Sequence, residues 1–327
     1  MMFMSLRIRL SNRRAAVRGI ALAMAVGLTW AGSAFATSTP ITLGAASTYG
    51  VLVGSGDTLT LAGGFNESGN IGIGKNSTAN LSGNNAISGS AYEDSGVTTN
   101  YSGNTSISGS IVTQSMTTAI SDANTAAAAA TALTRTTGLV DQGGSISLNN
   151  SSVTIKALTN LSENVLDISS LSLTNGTLTF DDNGFTNAKF IINITGAFSV
   201  TSSGALKSII QGINGASADD IIFNIEGTGS TVSITGNSSN QIIGTILAPQ
   251  RSVTLGGGGS LTGAIIAGVN NAGTNYTVQT GSGGYNITGL GYTPRSVSTP
   301  EPATGALFGA GIAALIGVRR RLRPARR

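Results

Sequence analysis

An internal repeat constrains the fold of this chain more than any other feature. Ser82–Ala91 aligns with Ser102–Ile111 at an offset of 20, with seven of ten positions identical. Two more pairs of similar segments recur at offsets of 19 and 31, namely Ile242–Ala248 with Leu261–Ala267 and Phe190–Gly196 with Ile221–Gly227. Offsets near 20 match one turn of a β-helix, and the longer offset matches a turn that carries a loop. The repeats therefore predict a mainly β chain wound as a β-solenoid.

Short stretches that alternate apolar residues with Ser or Thr run through the middle of the chain. They are Thr58–Leu61, Ser145–Leu148, Val153–Ile155, Leu171–Leu173, Thr177–Phe180, Val232–Ile234 and Val253–Leu255. A period of two places the apolar side chains on one face of a strand and the hydroxyls on the other. Asn-Gly and Gly-Asn turns between them supply positive φ at the corners. We expect stacked strands to bury one continuous core; a sandwich or barrel of similar strands is the alternative.

One segment has a different pattern. Residues 117–135 contain a run of alanines, Ala126–Ala130, together with Ile120 and Leu133, and they lack Gly and Pro. This composition predicts an α-helix, with Thr118 or Ser121 as the capping residue. A single Ala-rich helix depends on tertiary contacts for its stability, so we expect it to lie along one flank of the solenoid.

The composition excludes the commonest catalytic machinery. The 327 residues include neither Cys nor His, which removes Cys/His zinc sites, thiol nucleophiles and imidazole bases. The net charge of +4 comes from the two ends of the chain, since residues 37–299 contain seven basic and 13 acidic residues, a balance of −6. The basic total is therefore no indication of nucleic-acid binding. We expect no cofactor and no enzymatic activity.

The N-terminus has the three parts of a secretory signal peptide. An Arg-rich stretch precedes an apolar run from Gly19 to Gly32, and the small residues Ala34 and Ala36 then flank a Phe. This order predicts export through the translocon and cleavage by signal peptidase between Ala36 and Thr37, so that residues 1–36 are removed. An uncleaved membrane anchor is the alternative.

The C-terminus carries a tripeptide, an uncharged apolar segment and a basic cluster, in that order. These are Pro300-Glu301-Pro302, residues 303–318, and a tail that begins Arg319-Arg320-Arg321. Such a segment would stop in a membrane with its tail in the cytoplasm. The three parts resemble a PEP-CTERM sorting signal of Gram-negative bacteria that make extracellular polysaccharide. The resemblance implies an exosortase, a membrane protease, as a partner. A plain tail anchor is the alternative.

The middle of the chain resembles a second family, the ice-binding-like adhesive proteins, including those called choice-of-anchor A. The resemblance rests on the Ala-rich helix and on short Gly-rich words, namely Tyr49–Val53, Gly69–Gly74, Gly244–Pro249 and Gly263–Ala267. It implies a discontinuous β-solenoid of roughly triangular section with a long helix packed alongside. We expect this domain to span residues 37–290, with a linker at 291–299 and the sorting signal at 300–327.

Candidate sites are few. Asp181, Asp182 and Asn183 offer oxygen ligands of the kind that calcium prefers, although a solvated turn is the simpler interpretation; the same holds for Glu93-Asp94. Adjacent acids, here and at Asp219-Asp220, lack the geometry of a glycosidase pair. Two Thr pairs are candidates for an ice-binding or ligand-binding face, namely Thr58 with Thr60 and Thr177 with Thr179. The alternative is that Thr covers the outside of strands because of its β propensity.

The hypothesis from sequence is a secreted surface or matrix protein that acts as an adhesive or structural module. Its partners would be extracellular polysaccharide or neighbouring surface proteins, and its location the cell envelope, outer surface or extracellular matrix, after transient anchoring in the inner membrane. Ice binding through a flat Thr/Ser face is the alternative, and a polysaccharide-acting enzyme is a third.

Overall fold

A computed structural model describes residues 40–294, apart from residues 141, 161, 237–239, 271–272, 282 and 290. The predicted export signal, with Ala34, Ala36 and Thr37, lies outside the described residues. So does the predicted sorting signal, with Pro300, Glu301, Pro302, the 303–318 segment, Arg319, Arg320 and Arg321. Within the described part of the chain, no helix combines the length and apolarity that crossing a membrane requires.

The first part of the chain forms short strands before a single α-helix. A 3₁₀ turn at Gly44–Thr48 precedes them. The strands are β1 (Tyr49–Val53), β2 (Thr58–Ala62), β3 (Asn66–Glu67), β4 (Asn70–Ile73), β5 (Thr78–Ser82), β6 (Ala86–Ile87), β7 (Ala91–Glu93), β8 (Thr98–Tyr101), β9 (Ser106–Ile107) and β10 (Ile111–Thr113), followed by the helix α1 (Thr117–Ala132).

The second part continues in strands, with one 3₁₀ turn at Ala218–Asp220. The strands are β11 (Ser145–Asn149), β12 (Ser152–Lys156), β13 (Asn164–Ile168), β14 (Ser170–Thr174), β15 (Thr177–Asp181), β16 (Phe190–Ile194), β17 (Phe198–Ser202), β18 (Ile209–Ile213), β19 (Ile221–Ile225), β20 (Val232–Gly236), β21 (Asn240–Ile243), β22 (Thr245–Ala248), β23 (Val253–Leu255), β24 (Gly259–Thr262), β25 (Ile265–Ala267), β26 (Thr277–Thr280) and β27 (Asn286–Thr288).

The strands form three parallel sheets of nine strands each. In spatial order, sheet A is β10-β7-β4-β1-β25-β22-β19-β16-β13, sheet B is β11-β14-β17-β20-β23-β26-β2-β5-β8, and sheet C is β12-β15-β18-β21-β24-β27-β3-β6-β9. One coil contributes one strand to each sheet. The predicted β-solenoid is confirmed, and the alternative of a sandwich or barrel is wrong.

The sequence repeats coincide with the pairing register of the sheets. Ala91 pairs with Ile111 at the offset of 20, Ile246 with Ile265 at 19, and Phe190 with Ile221 at 31. Similar residues recur because stacked positions see the same surroundings one rung apart. The three alignments made from sequence are therefore structural alignments of neighbouring coils.

The order of the coils in space differs from their order in the chain. The strands of the first coil, β1, β2 and β3, pair with β25, β26 and β27 of the last coil. The chain thus builds three coils outward from the middle of the stack, returns as α1, and starts again at the opposite end, where β11, β12 and β13 are the outermost strands. The solenoid is discontinuous, as the family resemblance implied.

The helix covers the outer face of sheet A. Its buried face is all alanine, namely Ala119, Ala123, Ala126, Ala127 and Ala130. These alanines share a cluster with outward residues of six consecutive strands, namely Leu52, Ile266, Leu247, Ile222, Ile191 and Val165. The 16 residues of α1 rise about 24 Å at 1.5 Å each, and five interstrand spacings also cover about 24 Å. The length of the helix therefore matches the distance across the six strands that it covers.

The ends of α1 differ in detail from the prediction. The helix stops at Ala132 because Leu133 is already extended, whereas helix was predicted to residue 135. Neither Thr118 nor Ser121 caps it. The N-cap position is Met116, and the backbone N–H of Thr117 donates instead to the Ser115 hydroxyl at 3.3 Å. The Met116 N–H donates to Asp94 Oδ2 at 2.8 Å, which attaches the start of the helix to the coil below.

Candidate functional site

Sheet B presents a continuous polar row on its outer face. Its strands alternate buried and partly exposed residues, as in β2 and β14. Register places one outward polar side chain on every rung, in the order Ser147, Ser172, Ser199, Ser233, Thr254, Gln279, Thr60, Asn80 and Asn100. Eight spacings make this central row about 38 Å long. We call these nine residues the central polar row.

In two neighbouring pairs of the central polar row, the members are hydrogen-bonded to each other. The amide of Asn100 donates to Asn80 Oδ1 at 2.9 Å, and Gln279 Nε2 donates to the Thr254 hydroxyl at 3.1 Å. A second row contains four Thr residues on consecutive rungs, namely Thr277, Thr58, Thr78 and Thr98. Sheet B can therefore offer hydroxyls and amides at a repeat of about 4.8 Å.

The predicted Thr pairs fall on two different sheets. Thr58 and Thr60 lie outward on β2 in sheet B, whereas Thr177 and Thr179 lie on β15 in sheet C. Thr179 is only 6% exposed, and its hydroxyl accepts a hydrogen bond from Gln211. The outward positions of sheet C are also interrupted by Ile209, which stacks on Thr177. The structure therefore does not bring the four Thr residues together.

The carboxylates of the calcium candidate are buried, and that of Asp181 is engaged in hydrogen bonds with neighbouring turns. Asp181 Oδ1 accepts hydrogen bonds from the Asn183 N–H at 2.7 Å and the Asn214 amide at 2.8 Å, which hold the pKa of Asp181 below its usual value. Burial raises the pKa of Asp182 to about 6, and the nearby Asp220 carboxylate adds to this rise. Both carboxylates are buried whereas Asn183 is exposed, so the expectation of a solvated turn is wrong for the two Asp side chains. Among the described residues, no group of three acidic side chains could hold a metal ion.

The other adjacent acids have structural partners. Asp220 pairs with the buried Lys189 at 2.5 Å and accepts hydrogen bonds from the N–H and hydroxyl of Ser217. Glu93 accepts hydrogen bonds from Tyr101 at 2.5 Å and Thr99 at 3.1 Å. Glu93, Thr99 and Tyr101 stack on the inward residues Ile73, Ala79 and Leu81 of the preceding coil. They therefore close this end of the core with polar contacts. Asp94 is buried, so the solvated turn expected at Glu93-Asp94 is wrong for the Asp94 side chain.

Sequence reasoning missed a set of buried amides under α1. Asn193 Nδ2 donates to the carbonyl of Ala130 at 2.9 Å, and Asn224 Nδ2 donates to Asn193 Oδ1 at 2.9 Å and to Thr131 Oγ1 at 3.1 Å. The Asn193 amide is a second donor to the Ala130 carbonyl in the last helical turn, which also accepts the backbone N–H of Leu133 at 3.2 Å. The sequence does contain a signal for these buried amides. Each Asn interrupts an otherwise apolar strand, at the same position of the two segments that repeat at an offset of 31.

Comparison with known proteins identifies two segments. Residues 14–278 match a family described as a putative ice-binding-like adhesive domain. Residues 298–321 match the PEP-CTERM protein-sorting motif. Both resemblances stated from the sequence are thereby confirmed, and together the matches support a secreted surface protein that an exosortase-type system processes. No curated protein matches the sequence.

Several solved structures are similar to the chain. An ice-binding protein from the Antarctic ascomycete Antarctomyces psychrotrophicus is 21% identical, with a TM-score of 0.48, and the match covers 78% of this chain and 100% of that one. An ice-binding protein from an Antarctic biological consortium is 22% identical over 76% of this chain and 91% of that one, with a TM-score of 0.49. The domain of a Shewanella frigidimarina ice-binding protein is 18% identical, with a TM-score of 0.49. This match covers 79% of the present chain and 100% of that one. By the family match over residues 14–278, the chain belongs to the ice-binding-like adhesive domain family.

Proposed function

We propose that the mature protein is an adhesive module of the cell surface or exopolysaccharide matrix, and that it binds hydroxyl-rich polymer through sheet B. The observation that carries this proposal is the central polar row, which places a hydroxyl or amide on nine successive rungs. A polysaccharide also repeats hydroxyl groups along an extended chain. The two surfaces can therefore make many contacts of the same kind.

Multivalency compensates for weak individual contacts. A neutral hydrogen bond exposed to water contributes on the order of 1 kcal/mol or less. The side chains of the central polar row are short and are fixed to a rigid sheet, so that little conformational entropy is lost when they bind. Several simultaneous contacts then act as linked sites, and the avidity exceeds the affinity of any one of them.

The two ends of the described chain lie against sheet A and not against sheet B. Ile41 and Leu43, near the start of the mature chain, are buried in the cluster between α1 and sheet A, and Tyr292, near its end, belongs to the same cluster. The N–H of Tyr292 donates to the Thr245 hydroxyl at 2.7 Å. Both ends of the described chain therefore lie on the sheet A side. We infer that sheet B stays accessible while the protein is anchored.

Ice binding is the second candidate, because one observation favours it. The four Thr residues Thr277, Thr58, Thr78 and Thr98 occupy one register position on consecutive rungs. A row of regularly spaced hydroxyls and methyls could order water on an ice surface. This row covers four of the nine rungs of sheet B, and the central polar row covers all of them.

Tyr substitutions test the choice of face and ligand. We expect the double variant Ser172→Tyr/Ser233→Tyr, on sheet B, to lose at least tenfold in co-sedimentation with exopolysaccharide from the producing cells. The matched control Ser152→Tyr/Ser260→Tyr changes outward positions of sheet C and should bind like the parent. Equal binding by both variants would exclude sheet B as the adhesive face. If Thr58→Tyr/Thr78→Tyr abolishes inhibition of ice recrystallisation while polysaccharide binding is unchanged, ice is the ligand.

Processing is tested by mass spectrometry of the protein from the envelope and the culture medium. We expect an N-terminus at Thr37 and a C-terminus near Pro300. Recovery of intact Arg327 in the mature protein would contradict exosortase processing and favour a tail anchor.

A further inference from the structure

A cleft of about 490 Å³ lies between α1 and the corners that follow the strands of sheet A. One wall is a single face of the helix, with Asn124, Ala128 and Thr131 spaced four and three residues apart. The other wall comes from successive rungs, since Thr195 follows β16, Glu226 follows β19, Gln250 follows β22 and Asn270 follows β25. Four rungs give the cleft a length of about 14 Å along the solenoid axis.

The cleft wall is held rigidly. The side chain of Arg251 is 1% exposed, and its guanidinium donates to five backbone carbonyls of these corners. The acceptors lie on Thr195, Gly196, Glu226, Gly227 and Ser230. A guanidinium has five N–H donors, so each of them has a partner. Arg251 therefore fixes two neighbouring corners and retains no donor for an anionic ligand.

Two acceptors beside the cleft lack a donor within the described part of the chain. The amide oxygens of Asn124 and Asn224, both of which line the cleft, are buried and accept no hydrogen bond there. Asn224 is itself only 1% exposed. A buried acceptor without a partner costs roughly 1–3 kcal/mol. A ligand with hydroxyl or amide donors would recover that energy when the amide turns its oxygen towards the cleft.

The lining selects the chemistry of the ligand. Its polar side chains are amides and hydroxyls, set beside Ala127, Ala128 and Pro249, and Glu226 is the one charged side chain among the described lining residues. An acidic ligand would meet this carboxylate without a free cation opposite. An extended peptide would lack a sheet edge with which to pair, which is one of the usual means of peptide recognition.

We propose that this cleft is a binding site for an uncharged glycan chain, lying parallel to the solenoid axis and separate from sheet B. It recognises hydroxyl and N-acetyl groups through side-chain amides, and the Glu226 carboxylate discriminates against acidic sugars. The site does not depend on the function proposed for sheet B.

Two adjacent alanines of α1 give a matched test in the full-length protein. Ala128 lines the cleft and Ala129 does not, and both are exposed, so neither substitution disturbs the core. The probes are cello-, malto-, laminari- and chito-oligosaccharides, with oligogalacturonate as the acidic counterpart, in calorimetric titrations. We expect at least one uncharged series to bind, Ala128→Trp to weaken that binding at least tenfold, and Ala129→Trp to change it less than twofold.

The proposal would be overturned if none of the uncharged series bound, if the two Trp variants behaved alike, or if oligogalacturonate bound as tightly as the uncharged sugars. The double variant Ser172→Tyr/Ser233→Tyr separates this outcome from a failure of sheet B. Oligosaccharide binding at the cleft should survive these sheet B substitutions, whereas co-sedimentation with whole exopolysaccharide should not.

Discussion

Sheets A and B are built by the same coils, but their outer faces differ: that of sheet A is covered by α1 and that of sheet B is polar and uncovered in the described chain. In sheet A, β16 and β19 are buried at all five positions because α1 covers them. In sheet B, every rung keeps an outward polar side chain with nothing of the described chain packed across the row. The covered face has a structural role, whereas a bare face that repeats one kind of chemistry along its length is a candidate for binding.

The largest difference between the two faces should appear when a charge is introduced. Ala123 is fully buried between α1 and sheet A. We expect Ala123→Asp to lower the free energy of unfolding by about 3–5 kcal/mol, because the carboxylate would be buried without a partner. Urea denaturation measures this loss. Ala129→Asp, on the exposed side of the same helix, is the control; an equal loss in both would mean that α1 is not packed as described.

The inner faces should tolerate charge no better than the covered face of sheet A, and Glu67 tests this. It is 1% exposed in the core, where its stacking neighbours are Ile87 and Ile287, and burial raises its pKa to about 8. Because this pKa is raised on folding, stability should fall as the pH rises from about 4.5 to about 8, by up to roughly 5 kcal/mol.

The Glu67→Gln variant should not show this loss. Its unfolding free energy should exceed that of the parent at pH 8 and approach it at pH 4.5. Asp57, whose pKa burial raises to about 7, titrates in the same interval in both proteins and therefore does not affect their difference. A parallel pH dependence of the two proteins would show that Glu67 does not control it.

Two Asn→Ala substitutions, one on each sheet, compare the stability that a side-chain amide contributes under α1 with the stability that it contributes on the exposed face. We expect Asn193→Ala, under α1, to cost about 2 kcal/mol, because the Ala130 carbonyl and the Asn224 amide lose a buried partner. Asn100→Ala, on sheet B, removes a bond of the same kind to Asn80 in contact with water and should cost about 0.5 kcal/mol or less. Hydrogen exchange should also accelerate in the last turn of α1 in the first variant alone.

The smallest effect on stability should come from the central polar row itself. Ser199→Asp places a charge on the bare face of sheet B, where water solvates it, so the free energy of unfolding should change by about 0.5 kcal/mol or less. Thermal unfolding checks this expectation. A loss comparable to that of Ala123→Asp would mean that sheet B is covered in the folded protein.

Much of this architecture could be predicted from local pattern. The offsets of 20, 19 and 31 gave the stacking register, and the Ala-rich segment gave α1, since stacked residues and helical residues each carry a characteristic period. Alternation also predicted which side of each strand is buried. It did not tell which sheet a strand joins, so Thr58 and Thr177 looked equivalent although they lie on different faces.

Contacts between distant segments account for the rest. The pairing of β1 with β25 joins residues more than 200 positions apart, and no local pattern specifies it. The burial of Thr179 depends on Gln211 of the next coil, and that of Asp182 on surroundings that include Lys189 and Asp220. The sequence around Asp181-Asp182 is therefore typical of a solvated turn, and only the residues that surround it in space bury these side chains.

Methyl NMR of the labelled protein, titrated with soluble fragments of the exopolysaccharide, tests most directly whether sheet B binds polymer. We predict that the methyl signals of Thr58, Thr60 and Thr254 on sheet B shift as fragments are added, and that those of Thr154, Thr262 and Thr288 on sheet C stay in place. Unchanged sheet B signals at saturating polymer would contradict this prediction.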